Sequence, residues 1–128
     1  MNATESIDAA AVAALAAAIK QSLAWKAFEE SSLRFDTDPD LQRLMDHYRE
    51  LSDRALKARS RGDQLSSYDM ADIQNTQRAI QNNEAFMKRQ AAYENLATAF
   101  RAVNEGLSQQ LGLDFAGLAA PSGGSCCG

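Results

Sequence analysis

The sequence of 128 residues predicts an all-α protein, a bundle of four to five helices with long antiparallel helices and a flexible C-terminal tail. The composition is rich in the strong helix formers Ala, Leu, Gln, Glu and Arg, whereas Gly and Pro number only 7 and 2. Apolar residues recur at spacings of three, four and seven rather than two. Residue types that cap helices stand at the ends of these periodic segments.

The best-defined element runs from Asp38 to Gly62. Asp38 is a suitable N-cap, Pro39 fits the first helical position, and Gly62 marks the C-terminal end. One face of this helix carries an apolar stripe, which requires a partner helix to cover it. We therefore expect the other helices to pack around this one. The stripe consists of Leu41, Leu44, Met45, Tyr48, Leu51 and Ala55.

The N-terminal segment changes its apolar face partway along. Val12 and Trp25 would point to different sides of one straight helix, about 220° apart at about 100° per residue. A break at Ser22, which can cap a second helix, resolves this difference. The sequence favours one helix over residues 6–21 and a second from Ser22 to about Arg34. A single kinked helix is the alternative.

Two further helices are expected in the C-terminal half. Ser66, followed three residues later by Asp69, resembles a capping box at the start of a short helix. Asn83 is the expected cap of a long final helix that Gly112 ends. In that helix an aromatic or leucine residue recurs at every seventh position, the pattern of a seam buried against another helix or a second subunit. This predicted partner interface consists of Phe86, Tyr93, Phe100 and Leu107.

Residues 1–112 are predicted to form one helical domain, and residues 113–128 a flexible tail. A net charge of -4 and a pI near 4.9 disfavour direct DNA or RNA binding, because non-specific affinity for nucleic acid comes from surplus Lys and Arg. The apolar run from Ala9 to Ile19 is too short to span a membrane and lacks the basic flank of a signal peptide. We therefore expect a cytoplasmic protein.

The sequence contains no Gly-rich phosphate loop, no HExxH motif and no nucleophile elbow, so we do not expect an enzyme. The single histidine, His47, lies on the polar side of its helix without a second His or Cys nearby, and is interpreted as solvated. Positive charge is concentrated near the end of the same helix, at Arg54, Lys57, Arg59 and Arg61. These cations offset the helix dipole or, alternatively, contact RNA phosphates or an acidic protein.

Cys126 and Cys127 are the chemically distinctive residues, because they lie at the end of a Gly/Ser-rich arm where nothing can bury them. Thiolates on such an arm can bind a soft metal, and the alternatives are thiol chemistry without metal or no role. A 4Fe-4S iron-sulfur cluster normally takes four thiolates, and one chain offers two. A second subunit or another protein would have to complete such a site.

Several stretches resemble the YlbF/YmcA family of small bacterial helical regulators. They are IKQSLAWKAF at residues 19–28, DPDLQRLMDHY at residues 38–48, the Gly62 connector, and the spacing of Asn83, Phe86, Tyr93, Leu96 and Val103. The resemblance covers roughly residues 10–112 and implies an all-helical, often dimeric cytoplasmic protein. Members of this family in Bacillus-like bacteria act with YaaT in a complex that carries iron-sulfur clusters through cysteines. That complex assists the endoribonuclease RNase Y in RNA processing and influences competence, sporulation and biofilm formation.

The resemblance implies a non-enzymatic regulatory adaptor that binds protein partners, a YaaT-like protein and RNase Y among them. Cys126 and Cys127 would correspond to the cysteines near the C-terminus of cluster-carrying members, and would share a 4Fe-4S cluster with a second chain. They depart from the usual pattern in being adjacent, since neighbouring side chains of an extended chain point to opposite sides. The alternative is a structural homodimeric helical protein with no cofactor.

Overall fold

The computed structural model describes residues 9–121, and these residues form six α-helices and no β-strand. The predicted all-α class is therefore confirmed. The helices are α1 (Ala9–Gln21), α2 (Leu23–Thr37), α3 (Pro39–Ser60), α4 (Ser67–Gln81), α5 (Glu84–Leu111) and α6 (Phe115–Ala119).

Side-chain caps start the helices where the sequence predicts them. Ser22 Oγ accepts a hydrogen bond from the backbone N–H of Trp25 at 3.2 Å, so the first segment is two helices rather than one kinked helix. Ser66 Oγ caps α4 through the N–H of Asp69 at 3.1 Å. Gly112 ends α5 with a φ of 71°, in the left-handed region that favours glycine. The chain therefore sets most of its helix boundaries through local hydrogen bonds.

Two segments extend beyond the helices that the sequence predicts. α2 continues past the end expected near Arg34 and stops at Thr37, because Asp38 adopts an extended conformation with ψ of 113°. Residues 115–119, which were expected in the tail, form α6. Its first N–H groups are held by α5, where Ser108 Oγ and Asn104 Oδ1 accept from them at 3.0 and 3.1 Å. The domain boundary at residue 112 stays a prediction, and residues 122–128 lie outside the described residues.

The helices pack in pairs. α2 lies antiparallel to α5, and α3 lies antiparallel to α4, whereas contacts between the two pairs are sparse. The structure thus differs from the expectation that the other helices surround α3, because α4 is the main partner of α3. α1 lies against the start of α2 and beside the C-terminal half of α5. The result is a helical hairpin that is two layers thick over most of its length.

The apolar core follows the seam of each pair. The predicted stripe of α3 faces α4, and its residues Leu41 and Leu51 are completely buried. In the other pair, Ala92 and Leu96 of α5 are buried against α2. These four are the only buried apolar residues in the described part of the chain. Two paired helices enclose side chains only along the centre line between them, so the remaining apolar residues stay partly exposed.

Both layers of the hairpin are interrupted at the same level, at Asp38 and at Asn83. Asp38 Oδ2 accepts hydrogen bonds from the N–H of Leu41 at 2.8 Å and from Asn83 Nδ2 at 3.2 Å. Asn83 Oδ1 in turn accepts from the N–H of Phe86 at 3.1 Å. The N-caps of α3 and α5 are therefore bonded to each other, and we call this arrangement the linked caps.

We expect Asp38→Ala to lower the free energy of unfolding by about 2 kcal/mol, because it removes an N-cap and the acceptor of the Asn83 side chain together. Urea unfolding followed by circular dichroism measures the change. Asp40→Ala is the matched control, since Asp40 is exposed and pairs only with Arg43, and it should cost less than about 0.5 kcal/mol. Equal losses in the two variants would contradict the role of the linked caps.

Candidate partner-binding surfaces

Four aromatic side chains, which we call the aromatic cluster, join α2 to α5. The centroids of the Phe28 and Tyr93 rings are 6.1 Å apart with an interplanar angle of 54°, and those of Phe35 and Phe86 are 6.1 Å apart at 37°. Tilted rings at this distance attract each other beyond the gain from burial alone. Tyr93 nevertheless remains 61% exposed. The aromatic cluster is therefore both a seam between the layers and part of the surface.

Arg89 lies within the aromatic cluster. Its guanidinium carbon is 4.7 Å from the centroid of Phe35 and 5.6 Å from that of Phe28, distances at which a cation is attracted to the face of a ring. Its Nε donates to Ser32 Oγ at 3.3 Å. Sequence reasoning missed this residue. Its position three residues after Phe86 and four before Tyr93 is the signal that places it on the same helix face.

α1 and the C-terminal half of α5 form an apolar end of the molecule. α1 carries no charged residue from Ala9 to Ile19, yet none of its residues is buried. Val12 is 57% exposed and Leu15 is 45% exposed. A helix that is apolar on every side is normally covered on every side, so this end lacks a partner within the described chain. A groove of about 200 Å³ separates the two helices and is lined by Leu15, Ala18, Ile19, Ser22, Leu96, Ala99, Phe100 and Val103.

The predicted interface residues of α5 divide between these two surfaces. Phe86 and Tyr93 contact α2 in the aromatic cluster. Phe100 lines the groove beside α1, and Leu107 is half-buried further along α5. Contacts within the chain thus cover part of the predicted interface, whereas Phe100 remains 42% exposed. That these four residues bind a partner stays a prediction.

His47 has a partner that the sequence did not indicate. Its Nε2 lies 3.0 Å from Asp72 Oδ2, across the seam between α3 and α4. The hydroxyl of the buried residue Thr76 lies 3.5 Å from the other oxygen of Asp72. A second polar bond links the same helices, since Gln77 Nε2 donates to Tyr48 Oη at 3.0 Å. The His47 side chain is 42% exposed and is therefore in contact with solvent, as the sequence predicts, but it also helps to join α3 to α4.

The basic residues at the end of α3 do not form a continuous positive surface. Arg54 lies 3.4 Å from the carboxylate of Asp69. Lys57 and Arg61 line an open cleft that Asp63 and Asp69 also line. These carboxylates interrupt the positive charge, which weakens the expected attraction for phosphates. Direct RNA contact through this region stays a hypothesis.

An ion pair stabilises the first turn of α5. Lys88 Nζ lies 2.6 Å from Glu84 Oε1, one helical turn away. The hydrogen bond from Lys88 and the charge of its ammonium group hold the pKa of the Glu84 carboxyl below its ordinary value. The N-terminal end of the helix also favours a negative charge at this position. This pair is local to the helix and exposed, so it contributes little to the packing of the layers.

Within residues 9–121, no helix is long and apolar enough to cross a membrane. The same residues contain no group of three or more His, Cys, Asp or Glu side chains that could hold a metal ion. Cys126 and Cys127, the predicted ligands of a metal or iron-sulfur cluster, lie outside the described residues. Their role therefore stays a prediction.

The geometry defines a class of protein: a small all-α protein, built as a kinked helical hairpin, whose distinctive features are exposed aromatic and apolar surfaces. The chain belongs to the YlbF/YmcA family, because the family model described as "Control of competence regulator ComK, YlbF/YmcA" matches residues 9–112. This is a regulatory family, and the match confirms the resemblance seen in the sequence. Comparisons with curated proteins and with solved structures gave no match.

We expect Phe35→Ala to lower the free energy of unfolding by about 2–4 kcal/mol, because it removes a ring that packs against Phe86 and Arg89. Tyr93→Ala should cost about 1 kcal/mol or less, since most of the Tyr93 side chain is already in water. Urea unfolding of both variants measures the difference. A loss at Tyr93 equal to that at Phe35 would mean that Tyr93 is a core residue rather than a surface residue.

Proposed function

We propose that the protein is a cytoplasmic regulatory adaptor without enzymatic activity, which self-associates and binds protein partners in a complex that influences RNA processing. The observation that carries this proposal is α1, an apolar helix that has no charged residue from Ala9 to Ile19 and no buried residue. Contiguous exposed apolar surface on a soluble domain is typical of interaction sites. Membership of a regulatory family supports the same function.

Self-association is proposed at the apolar end, between the α1 and α5 helices of two copies. A two-fold contact brings the same surface of each copy together, so one strip covers the other. Val12 and Leu15 of one copy would then pack near Phe100 of the second copy. Two pairs of helices form a four-helix arrangement, in which a helix with apolar residues on several sides is covered. This geometry accounts for the composition of α1.

Leu15→Glu tests the self-association surface. We expect it to weaken the dimer by at least about tenfold in Kd, because a carboxylate in an apolar contact loses its hydration without gaining a partner. Size-exclusion chromatography with light scattering, at micromolar concentrations, measures the oligomeric state. Leu56→Glu is the matched control, since Leu56 is an exposed leucine of α3 in the other helix pair. A wild-type chain that is strictly monomeric, or equal effects of both variants, would contradict the proposed surface.

A shared iron-sulfur cluster is the second part of the proposal. The chain has two cysteines in all, Cys126 and Cys127, and a 4Fe-4S cluster takes four thiolates. Residues 9–121 contain no cysteine, so they offer no further thiolate for the remaining positions. The donor set therefore fits such a cluster only when another chain completes it, either a second copy or a YaaT-like partner. When bound, the cluster would link the chains, and RNase Y is the proposed downstream partner of the complex by family resemblance.

We expect protein purified without oxygen, alone or with a YaaT-like partner, to be coloured and to contain iron and sulfide. Replacing Cys126 and Cys127 by Ser should remove both, because thiolates are the ligands of such clusters. Absorption spectra and iron and sulfide assays measure the content, and partner binding is measured alongside them. A colourless complex with full partner binding would exclude the cluster and leave the adaptor.

The second candidate is a structural homodimer with no cofactor. The exposed apolar surface of α1 supports it equally, because self-association alone would cover that surface. It differs from the adaptor in predicting that no protein partner binds at the aromatic cluster. A dimer without bound metal, and without any effect of the tail cysteines on assembly, would favour this candidate.

A further inference from the structure

We propose that the aromatic cluster and Arg89 form a docking site for an acidic segment of a partner protein. A carboxylate of that segment binds the Arg89 guanidinium, and neighbouring apolar side chains of the segment pack on the exposed ring of Tyr93 and on the accessible edges of the half-buried rings beside it. The proposal rests on the adaptor function above and specifies the chemistry of the partner. It concerns a different part of α5 from the self-association surface.

Arg89 carries a charge that the described chain does not neutralise. A guanidinium has five N–H donors, and within residues 9–121 only the Nε of Arg89 has an acceptor, the hydroxyl of Ser32 at 3.3 Å. No carboxylate in that range forms an ion pair with it. A hydroxyl is a neutral acceptor, and the ring faces compensate the charge only in part. A carboxylate is the group that pairs with the free edge of a guanidinium through two parallel hydrogen bonds.

Arg89 also differs from the other basic residues in its burial. Every other Lys and Arg side chain in the described part of the chain is exposed, whereas Arg89 is half-buried. A half-buried cation has lost part of its hydration, so a carboxylate that reaches it competes with less water than at an exposed arginine. The interaction is correspondingly stronger than a surface ion pair.

The surroundings of Arg89 hold its guanidinium in place before a partner arrives. Phe35 and Phe28 lie at 4.7 and 5.6 Å from the guanidinium carbon, and the bond to Ser32 fixes the Nε edge. A free arginine side chain loses rotamer entropy when it is immobilised. Arg89 has lost much of this entropy on folding, so less is lost when a carboxylate binds.

The composition of the site is typical of the centre of a protein–protein interface. Tyrosine and arginine are enriched among the residues that contribute most to binding, and Tyr93 and Arg89 are adjacent here. Tyr93 packs against Phe28 on one side and is otherwise exposed. The Tyr93 ring therefore presents a rigid apolar face beside the positive charge of Arg89. The matching ligand is a segment with one carboxylate flanked by apolar side chains.

A protein segment fits this site better than a nucleic acid does. Glu29 and Asp36 directly follow Phe28 and Phe35 on α2, and both are exposed, so they repel a polyanion that approaches the cluster. The net charge of -4 also repels a polyanion. One carboxylate on a largely apolar segment meets much less repulsion than a row of phosphates.

The site is also separate from the proposed self-association surface. Arg89 and Phe100 are 11 positions apart on α5, which corresponds to about 16 Å along the helix. A second copy on the α1 end therefore leaves Arg89 open. Both surfaces can be occupied in one complex.

A phage-displayed library of random 16-residue peptides, selected on the full chain, tests the proposal. We expect enriched peptides to carry Asp or Glu beside apolar residues, because these match the charge and the rings of the site. Arg89→Gln should weaken the enriched peptides by at least about tenfold in Kd. Arg101→Gln is the matched control, since Arg101 is an exposed arginine of α5 that bonds only Thr98, and it should have no effect.

A second measurement makes the result independent of any effect of Arg89→Gln on folding. Changing the selected Asp or Glu to Asn or Gln in the peptide should produce the same loss on the wild-type protein, and little further loss on Arg89→Gln. Peptides without an enriched carboxylate, or equal binding to the wild type and Arg89→Gln, would overturn the proposal. The proposal would also be overturned if Arg89→Gln abolished binding of a 20-nucleotide RNA to the protein, or converted a dimer of the protein into a monomer. The adaptor function is tested separately, by measuring the oligomeric state of the Leu15→Glu variant.

Discussion

The fold depends on one constraint: each long helix has one principal partner. An amphipathic stripe is best covered when a helix lies between two or three neighbours, but here α2 is paired with α5 and α3 with α4. Burial is therefore complete only along the centre line of each pair, at residues such as Leu41 and Leu51. Apolar residues beside that line remain in contact with water. A chain with this architecture exposes apolar surface as a direct result of the way it folds.

The polar contacts between the layers follow from the same constraint. With few enclosed apolar residues to fix the register, side-chain pairs across the seams define it. His47 lies against Asp72 in one helix pair, and Arg89 bonds Ser32 in the other. Such pairs contribute modestly to stability, but they fit only one alignment of two helices. They therefore favour the observed register.

The sequence predicted the helix class and most boundaries because these depend on short-range interactions. The caps at Ser22, Ser66 and Asn83 each bond an N–H three residues away, so the residues that make them are close together in the sequence. The packing of the helices was harder to predict. An apolar stripe specifies which face is covered, but not by which helix, and the expectation that the helices surround α3 failed for this reason.

The surfaces show the same division between local and distant interactions. The heptad spacing of α5 identified Phe86 and Tyr93, which lie in the aromatic cluster. Arg89 was missed, because the residues that hold it, Ser32 and Phe35, are more than 50 positions earlier in the chain. The exposure of α1 could not be predicted either. A run of apolar residues indicates a buried helix, and only the arrangement of its neighbours shows that it lacks a cover.

We expect the molecule to bend most easily at the linked caps. At Asp38 and Asn83 the backbone leaves the helical conformation at the same level in both layers. Side chains already accept hydrogen bonds from the first N–H groups of the helices that start there. Changing the angle between the two hairpin halves at this level breaks no hydrogen bond inside a helix, whereas bending α3 or α5 elsewhere would. Gln42 Nε2 donates a hydrogen bond to the carbonyl of Phe35 at 2.9 Å. This bond is one of the few contacts across the break that such a change would alter. We therefore expect the angle between the two halves of the hairpin to change at the linked caps, and a partner that contacts both halves to fix that angle.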